Sequence, residues 1–504
     1  MIKRIALAAV CALALHTQVQ AQTAPVGCTY NQYGRIANGA TLWTATSQGI
    51  PKNLQPGFET NCLINQFAYN NFLYLVGDDG YGHPRFMSMA PWYNVFPPKG
   101  VPVWPGAYTP LDGVQLNLAI NQAQAGDGFA LLDVANQTTV YDIRVNKPYF
   151  DYVKNNTLYL QANMTKAAAA FAANSYSGGV FFPPTDIGDP SLGAMEIKTS
   201  WRNFGPVNAE LCPADLMLCE TDDEHNVWGL MGLHLVQKTN THGEFVWASF
   251  EHTANAPDCN GGGANSIARL PSDPTNPGGT INVNKRYQTP TQKSGWNYFD
   301  FLAYTQNGGD GKTCAFPIQK AGSKPLCLTW PGSKARWVRT DVCRTDILAR
   351  PASSCVALNT DHPNSQDVSC LNQSIISNAP SGLNARWKYY KLIGMEWFPN
   401  GNTEAGAFPQ GCFTYSGFSN CPNFGKHGES GKAPNFTRAG STTMANTTME
   451  TWMQNGMYMP NPADPTDITK ALDCFSCHQP QTVADPKDGF NEGDMSHIFS
   501  RIQQ

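Results

Sequence analysis

The chain has 504 residues, with 34 Lys and Arg against 38 Asp and Glu and a formal net charge of −4. This balance argues against a nucleic-acid-binding protein, because no excess of positive charge is present to neutralise phosphates. Only 14% of the residues are charged, while Gly (45) and Pro (36) are abundant. That composition is typical of a loop-rich globular protein, and the length allows one large domain or two to three smaller ones.

The first 21 residues have the pattern of an export signal. Lys3 and Arg4 precede an apolar run at 5–15, and Val19 and Ala21 occupy the positions read at a signal-peptide cleavage site. We therefore predict a signal peptide at 1–21, cleavage after Ala21, and a mature protein in the periplasm or secreted. Because the apolar run is short and the mean hydropathy is −0.34, the sequence predicts no membrane span in the mature protein.

The cysteines agree with an oxidising compartment. Of 15 cysteines, one lies in the leader and two in a C-terminal motif, which leaves twelve for up to six disulfides. Spacing favours the pairs Cys212 with Cys219, Cys314 with Cys327, and Cys412 with Cys421. Spacing alone leaves other pairings and free buried thiols open, and a zinc site is disfavoured because none of the twelve forms a CxxC pair.

Hydrophobic spacing predicts helices at 62–76 and 158–174, with a strand at 139–145 between them. Further along, short aromatic and β-branched segments predict strands at 180–182, 195–201, 227–237, 245–251 and 389–397. Residues 256–382 show little periodicity and indicate disulfide-pinned loops, and a short helix is predicted at 443–455. We therefore expect an α+β fold: a body at 22–440, helical to about residue 177 and β-rich beyond, and a separate C-terminal segment at 441–504.

The C-terminal segment contains the run Cys474-Phe475-Ser476-Cys477-His478. In a CxxCH run the two thiols attach haem covalently and the histidine ligates the iron. The sequence therefore predicts one covalent haem c on Cys474 and Cys477, with His478 as the proximal ligand. The alternative is a disulfide or thioredoxin-like CxxC with an incidental histidine, and it is disfavoured because no βαβ pattern surrounds the motif. Only 26 residues follow His478, so the body is expected to complete the haem pocket.

The distal side of the haem has several methionine candidates: Met444, Met449, Met453, Met457 and Met459. Met459, which Pro460 follows, is the candidate distal ligand. Apolar packing around the porphyrin is the alternative for each of these methionines. A methionine ligand suits electron transfer, whereas an open position suits oxygen or peroxide chemistry.

Two histidines in the body are candidate catalytic residues. His234 shares a strand face with Gly232, whose missing side chain leaves room beside the imidazole, although a lone histidine in such a strand is more often a core residue. His252 ends the next predicted strand. The loop at 220–225 carries carboxylates that could bind a cation, but an acidic surface loop is the better interpretation. The sequence contains no motif of the serine hydrolases, P-loop proteins or zinc proteases.

Five segments resemble exported bacterial proteins known as cytochrome c family proteins: 139–147, 193–202, 227–234 together with 246–252, and 445–451. The resemblance spans most of 60–500 and implies export and haem, but it implies no particular reaction. The chain departs from the family pattern at Gln237, where a second histidine is common, and at 455–472, which look inserted.

Two function classes follow from the sequence. The first is a periplasmic haem oxidoreductase that acts on an unknown small molecule. The second is a non-catalytic electron carrier or redox sensor whose haem is capped by methionine or histidine. Both would exchange electrons with a periplasmic donor or acceptor, and the sixth iron ligand distinguishes them.

Overall fold

The computed structural model of the protein describes residues 61–118, 131, 133, 137–173, 180, 182–183, 193–206, 212–239, 245–256, 296–298, 317–318, 326–327, 355, 364–377, 382–397, 439–440, 446–450, 474 and 497–502. The predicted signal peptide lies outside the described residues. So do Cys477, His478 and Met459 of the predicted haem site.

A single antiparallel sheet organises this part of the chain. Its strands are β1 (Ala90–Pro91), β2 (Val140–Val145), β3 (Met195–Pro206), β4 (Cys219–Thr221), β5 (Asn226–Gln237), β6 (Val246–His252), β9 (Tyr390–Trp397) and β10 (Ala439–Gly440). The strand order is β1-β2-β3-β5-β6-β9-β10, and β4 pairs with β5. Two short strands, β7 (Pro317–Ile318) and β8 (Leu326–Cys327), pair with each other.

Helices cover both faces of the sheet. They are α1 (Asn61–Val76), α2 (Trp92–Val95), α3 (Gly113–Leu118), α4 (Lys147–Asn155), α5 (Gln161–Ala173) and α6 (Asn364–Ser377). The larger hydrophobic core lies where α1 and α6 pack on the sheet, and there the ring of Phe72 stacks on Phe250 at 4.4 Å. A second core on the other face includes residues of α2, α4 and a C-terminal 3-10 helix, His497–Arg501.

Helix α1 ends where the sequence predicted, at Gly77. The Arg85 side chain donates from Nη1 to the carbonyl oxygen of Tyr74 at 2.7 Å, so it satisfies a carbonyl of the last turn. A Cβ on residue 77 would stand 2.3 Å from that Nη1 atom. A larger residue at this position would therefore displace the arginine from the end of the helix.

The sequence predicted most of the sheet but fewer of the helices. Strands β2, β3, β5, β6 and β9 and helices α1 and α5 are confirmed within a few residues of their predicted bounds. Helix α6 lies inside 256–382, where loops were expected. The sequence did not predict this helix because Asn and Ser interrupt its apolar positions. Helix α4 was also missed, although Asn146 caps it and Pro148 opens its first turn.

The predicted helix at 443–455 is wrong where the structure describes it. Residues 446–450 form turns. The Asn446 side chain accepts a hydrogen bond from the N–H of Thr448 at 2.9 Å, a local bond that competes with the helical pattern. The N–H of Thr447 is taken by Glu251 of β6 at 2.7 Å. Contacts with the sheet have replaced helical hydrogen bonds here.

Two disulfides are present among the described residues. Cys212 bonds to Cys219, as spacing predicted, and Cys355 bonds to Cys370 of α6. The other two predicted pairs involve cysteines outside the described residues. Disulfides are compatible with an extracellular or periplasmic location. Separately, none of the helices in the described part of the chain has the length and apolarity needed to span a bilayer.

Replacing Cys212 and Cys219 together by Ala should lower the free energy of unfolding by about 2 kcal/mol, since a short closed loop restricts the unfolded chain only modestly. The two cysteines are separated by 7 positions in the sequence. Urea unfolding without reductant measures the difference. The matched variant without Cys355 and Cys370, which are 15 positions apart, should lose more. Equal stability of the first variant and the wild type would contradict the prediction.

Candidate functional site

Residues paired across antiparallel strands point to the same side of a sheet. On the face opposite α1 and α6, three such rows of buried residues cross the sheet. The first row contains Tyr141, Ser200, Gly232 and Glu251; the second contains Ile143, Lys198, His234, Ser249 and Gly394; the third contains Val145, Glu196, Val236, Trp247 and Glu396. We call these three rows the polar face. Its ionisable residues are at most 9% exposed.

Residues 446–450, which we call the covering segment, lie over the first two rows. Hydrogen bonds from several strands hold it in place: Tyr141 Oη to Thr448 O (2.7 Å), Ser200 Oγ with Thr448 Oγ1 (2.6 Å), Thr447 N to Glu251 Oε2 (2.7 Å), Asn446 Nδ2 to Ser249 Oγ (3.1 Å) and Asn446 Nδ2 to Phe250 O (2.9 Å). Such a network fixes the segment because each buried polar group has a partner.

Gly232 makes room for the covering segment. A Cβ at this position would stand 2.7 Å from Thr448 Oγ1 and 3.1 Å from the carbonyl oxygen of Phe250. The sequence suggested that this glycine leaves space beside His234. The structure shows instead that the covering segment occupies the space.

Gly232→Ala should therefore destabilise the protein by about 1–3 kcal/mol, because the added methyl group forces the segment away from the sheet. Chemical denaturation gives the value. Thr448→Ala is the paired variant, and in the double variant part of the clash is relieved, so the two losses should not add. Strict additivity would contradict the contact.

His234 lies at the centre of the polar face and bonds to the covering segment. Its Nε2 atom is 3.1 Å from Glu450 Oε2, and both side chains are largely buried. Lys198 is its direct partner on β3, so the two side chains start about 5 Å apart on one face. The imidazole of His234, the carboxyl group of Glu450 and the amine of Lys198 therefore lie near one another in a buried part of the polar face.

Burial has a measurable consequence for Lys198. Desolvation lowers the pKa of its ammonium group to about 8, against the opposing attraction of Glu450 and Glu196. The Nζ atom also lies 4.9 Å from the ring centroid of Tyr141, a cation–π contact. Tyr141 itself has a raised pKa, chiefly because it is buried. Lys198 can therefore exchange a proton near neutral pH.

Cys474, the first residue of the predicted haem motif, lies on the same face of the sheet. Its N–H donates to Glu396 Oε2 at 2.9 Å, and Glu396 belongs to the third row. From the pairing register, Glu396 is two strands and one two-residue step from His234, or about 12 Å between Cα atoms. The start of the motif is thus anchored close to the ionisable cluster.

The surroundings of Cys474 are apolar. The residue is 6% exposed and belongs to the second hydrophobic core. Aromatic members of that core include Phe182, Phe245, Trp247 and Phe499. A haem attached to this cysteine would find the apolar and aromatic contacts that a buried macrocycle requires.

No family model, curated protein or solved structure matches this chain. Among the described residues, no group of three or more His, Cys, Asp or Glu side chains is placed to hold a metal ion.

His252 has a different environment from His234. It belongs to β6 but points to the opposite face, where its ring meets Tyr390 edge-on at 5.0 Å. The N–H of Ala254 donates to Nδ1 at 3.1 Å, so Nε2 carries the proton and donates to the carbonyl oxygen of Leu216 at 3.0 Å. Both ring nitrogens bond to the main chain. We leave His252 out of the proposed site.

Three carboxylates of the loop at 220–225 accept hydrogen bonds within the protein. Asp222 accepts hydrogen bonds from the N–H of Asn226 at 2.7 Å and from Trp228 Nε1 at 2.7 Å. Asp223 accepts from the N–H of Gly113, and Glu220 accepts from Tyr108 Oη. The loop fixes the start of β5 and holds neighbouring turns. Asp223 and Glu224 are exposed, whereas Asp222 is buried.

Lys198, Glu450 and Glu396 were not identified as candidate functional residues from the sequence. Lys198 and Glu196 stand in an alternating strand where a charged residue is normally expected to face solvent. The structure buries both residues, at 7% and 9% exposure, and the covering segment and the Tyr141 ring lie against this face. The charged residues within the strand at 195–201, and Glu450 next to the buried Met449, were unusual enough to be noticed. No local sequence pattern shows that these two segments are in contact.

Proposed function

We propose that this protein is an exported c-type haem protein with one haem attached through Cys474 and Cys477 and with His478 as the proximal iron ligand. The CxxCH run supports this assignment. So do the buried aromatic environment of Cys474 and the resemblance to cytochrome c family proteins. The haem would supply one-electron redox chemistry when bound.

We infer further that the protein is a redox enzyme. The observation that carries this inference is the cluster of Lys198, His234 and Glu450 on the sheet face to which Cys474 is anchored. A simple electron carrier needs an apolar pocket, and burying unused charges there is costly. A reaction that adds or removes protons together with electrons needs acid and base groups near the redox centre.

The roles of the residues follow from their contacts. Lys198 can hold or release a proton near neutral pH. His234 and Glu450 share a hydrogen bond and can relay a proton between Nε2 and Oε2. The covering segment excludes water from the first two rows. The expected substrate is a small molecule whose oxidation or reduction includes proton transfer, with a periplasmic donor or acceptor supplying or removing electrons.

The alternative is a non-catalytic electron carrier or redox sensor. This alternative is supported by Met459, the candidate distal ligand, which Pro460 follows in the sequence. Met459 lies outside the described residues. A methionine on the iron would block small molecules and raise the reduction potential.

Carbon monoxide distinguishes the two functions. We expect the absorption spectrum of the ferrous wild-type protein to change on addition of the gas, because an open iron binds it readily. An unchanged wild-type spectrum, together with binding by Met459→Ala, would show that methionine caps the iron and would support the carrier. Met457→Ala is the matched control, since that residue lies two positions away in the same methionine cluster.

A further inference from the structure

Asn446 uses all the hydrogen-bonding positions of its side-chain amide, and it is completely buried, at 0% exposure. Its Nδ2 atom donates to Ser249 Oγ at 3.1 Å and to the carbonyl oxygen of Phe250 at 2.9 Å. Its Oδ1 atom accepts from the N–H and from the hydroxyl group of Thr448, both at 2.9 Å. One side chain therefore fastens the covering segment to β6 and fixes the turn that follows.

The turn built on Asn446 leads directly to Glu450. The N–H of Met449 donates to the main-chain carbonyl oxygen of Asn446 at 3.1 Å, which closes the turn one residue before the glutamate. An Asn side chain that accepts from the N–H two residues later is a recurrent turn-forming arrangement. Ser249, to which Asn446 is bonded, is the direct partner of His234 across β5 and β6. The turn is thus held beside His234, where Glu450 Oε2 lies 3.1 Å from Nε2.

We propose that Asn446 is a positioning residue: it sets the Glu450 carboxylate against His234 and so keeps the imidazole proton on Nε2. A carboxylate only accepts hydrogen bonds, so the shared bond requires a proton on Nε2 and leaves a lone pair on Nδ1. Within the described part of the chain, no residue forms a hydrogen bond with Nδ1. Nδ1 is therefore the basic atom that this pair presents.

The chemical role of Nδ1 rests on the proposed redox enzyme and narrows its substrate to a small molecule with an O–H or N–H group. The substrate bond to hydrogen breaks, an N–H bond forms at Nδ1, and the bonding electron pair stays on the substrate. The adjacent Glu450 carboxylate stabilises the imidazolium of His234, as in other carboxylate–histidine pairs. Return of the proton to product or solvent restores the base.

The test is NMR of the imidazole groups in the mature protein, prepared with isotope-labelled histidine and measured at mildly alkaline pH. Dithionite and carbon monoxide are added so that attached haem is diamagnetic. His252 is an internal reference, because its Nε2 atom is bonded to the carbonyl oxygen of Leu216 on the opposite face of the sheet. His234→Gln and His252→Gln assign the two signals. In the wild type, His234 should carry its proton on Nε2 and none on Nδ1.

Asn446→Ala should make the Nε2 proton of His234 exchange with solvent faster by roughly tenfold or more, since the loss of buried hydrogen bonds makes local opening easier. The Nε2 proton of His252 should exchange as in the wild type. Glu450→Ala removes the acceptor itself and gives the limiting exchange rate for comparison. A residue that only stabilised the whole fold would affect both histidines alike.

Two further variants keep the test decisive even when Asn446→Ala folds poorly. Asn446→Ser retains a side-chain oxygen that can accept from the N–H of Thr448, so it should restore slow exchange in part. Ser200→Ala is the matched control. It removes a different buried bond between the sheet and the covering segment, the one with Thr448 Oγ1 at 2.6 Å, and it should leave the His234 proton slow to exchange.

The outcomes separate this inference from the proposed function. Equal exchange of the His234 proton in wild type and Asn446→Ala would overturn the positioning role, as would equal acceleration at His234 and His252. A wild-type imidazole with its proton on Nδ1 would overturn the assignment of the basic atom. Absence of covalent haem would overturn the proposed function instead, and the exchange rates would keep their predicted order.

Discussion

Replacing Cys477 by Ala should remove most of the haem that survives denaturing electrophoresis. One of the two thioether bonds cannot form in this variant, and maturation of the remaining bond is inefficient when the CxxCH run is broken. Staining for haem peroxidase activity after export from a strain with cytochrome c maturation measures the loss. The wild type should stain near its mature mass.

His478→Ala and the variant without Cys212 and Cys219 complete this experiment. The first should keep part of its covalent haem but change its absorption spectrum, because the proximal nitrogen ligand is lost. The second lacks a disulfide that is separate from the motif, so it should stain like the wild type. Equal staining of Cys477→Ala and wild type would show that these thiols do not hold haem.

Lys198→Met should stabilise the protein at neutral pH relative to the wild type, and the advantage should shrink as the pH rises. Burial lowers the pKa of Lys198 from 10.5 to about 8. This shift corresponds to a cost of about 3 kcal/mol for keeping the ammonium ion in the folded protein. Methionine fills a similar volume without charge, although it forfeits the contact with the Tyr141 ring.

The sign of the pH dependence follows from proton binding. Between pH 8 and 10.5 the unfolded chain binds more protons at this lysine than the folded protein does, so wild-type stability increases with pH. The cost is fully present below about pH 8. From pH 7 to 9.5 the advantage of Lys198→Met should shrink by about 2 kcal/mol, measured by urea unfolding at each pH.

Lys391→Met is the matched control for this stability series. Lys391 is 1% exposed and lies in β9 beside the bulge between Ser249 and Phe250. Its Nζ atom donates a hydrogen bond to the carbonyl oxygen of Asn372 in α6. Burial lowers the pKa of Lys391 to about 7. The stability that Lys391→Met gains over the wild type should therefore begin to shrink at a lower pH than the gain of Lys198→Met. A constant difference between wild type and Lys198→Met across the range would contradict the charged burial of Lys198.

The strands that form the polar face could be predicted from the sequence because aromatic and β-branched residues mark them. Alternation along β3 places Lys198 and Glu196 on one face. What could not be predicted was that this face is buried. Its cover comes from residues about 250 positions later in the chain, and contacts of that separation leave no local pattern.

The histidines illustrate the same limit. His234 and His252 looked equivalent in the sequence, since each lies in an apolar strand. Pairing registers place them on opposite faces, and only His234 meets a carboxylate, that of Glu450. The registers also bear on Gln237, which lies three residues after His234 and therefore on the opposite face of β5. A histidine at that position would not have joined His234 in one site.

We propose a covalent haem c on the sheet face that carries the ionisable cluster. The most direct measurement is the intact mass of the mature exported protein, together with its reduced haem spectrum in alkaline pyridine. We predict a chain that begins after Ala21 and carries one haem, with the attachment mapped by proteolysis to Cys474 and Cys477. A mature chain of unmodified mass, from cells that attach haem to other cytochromes c, would contradict the claim.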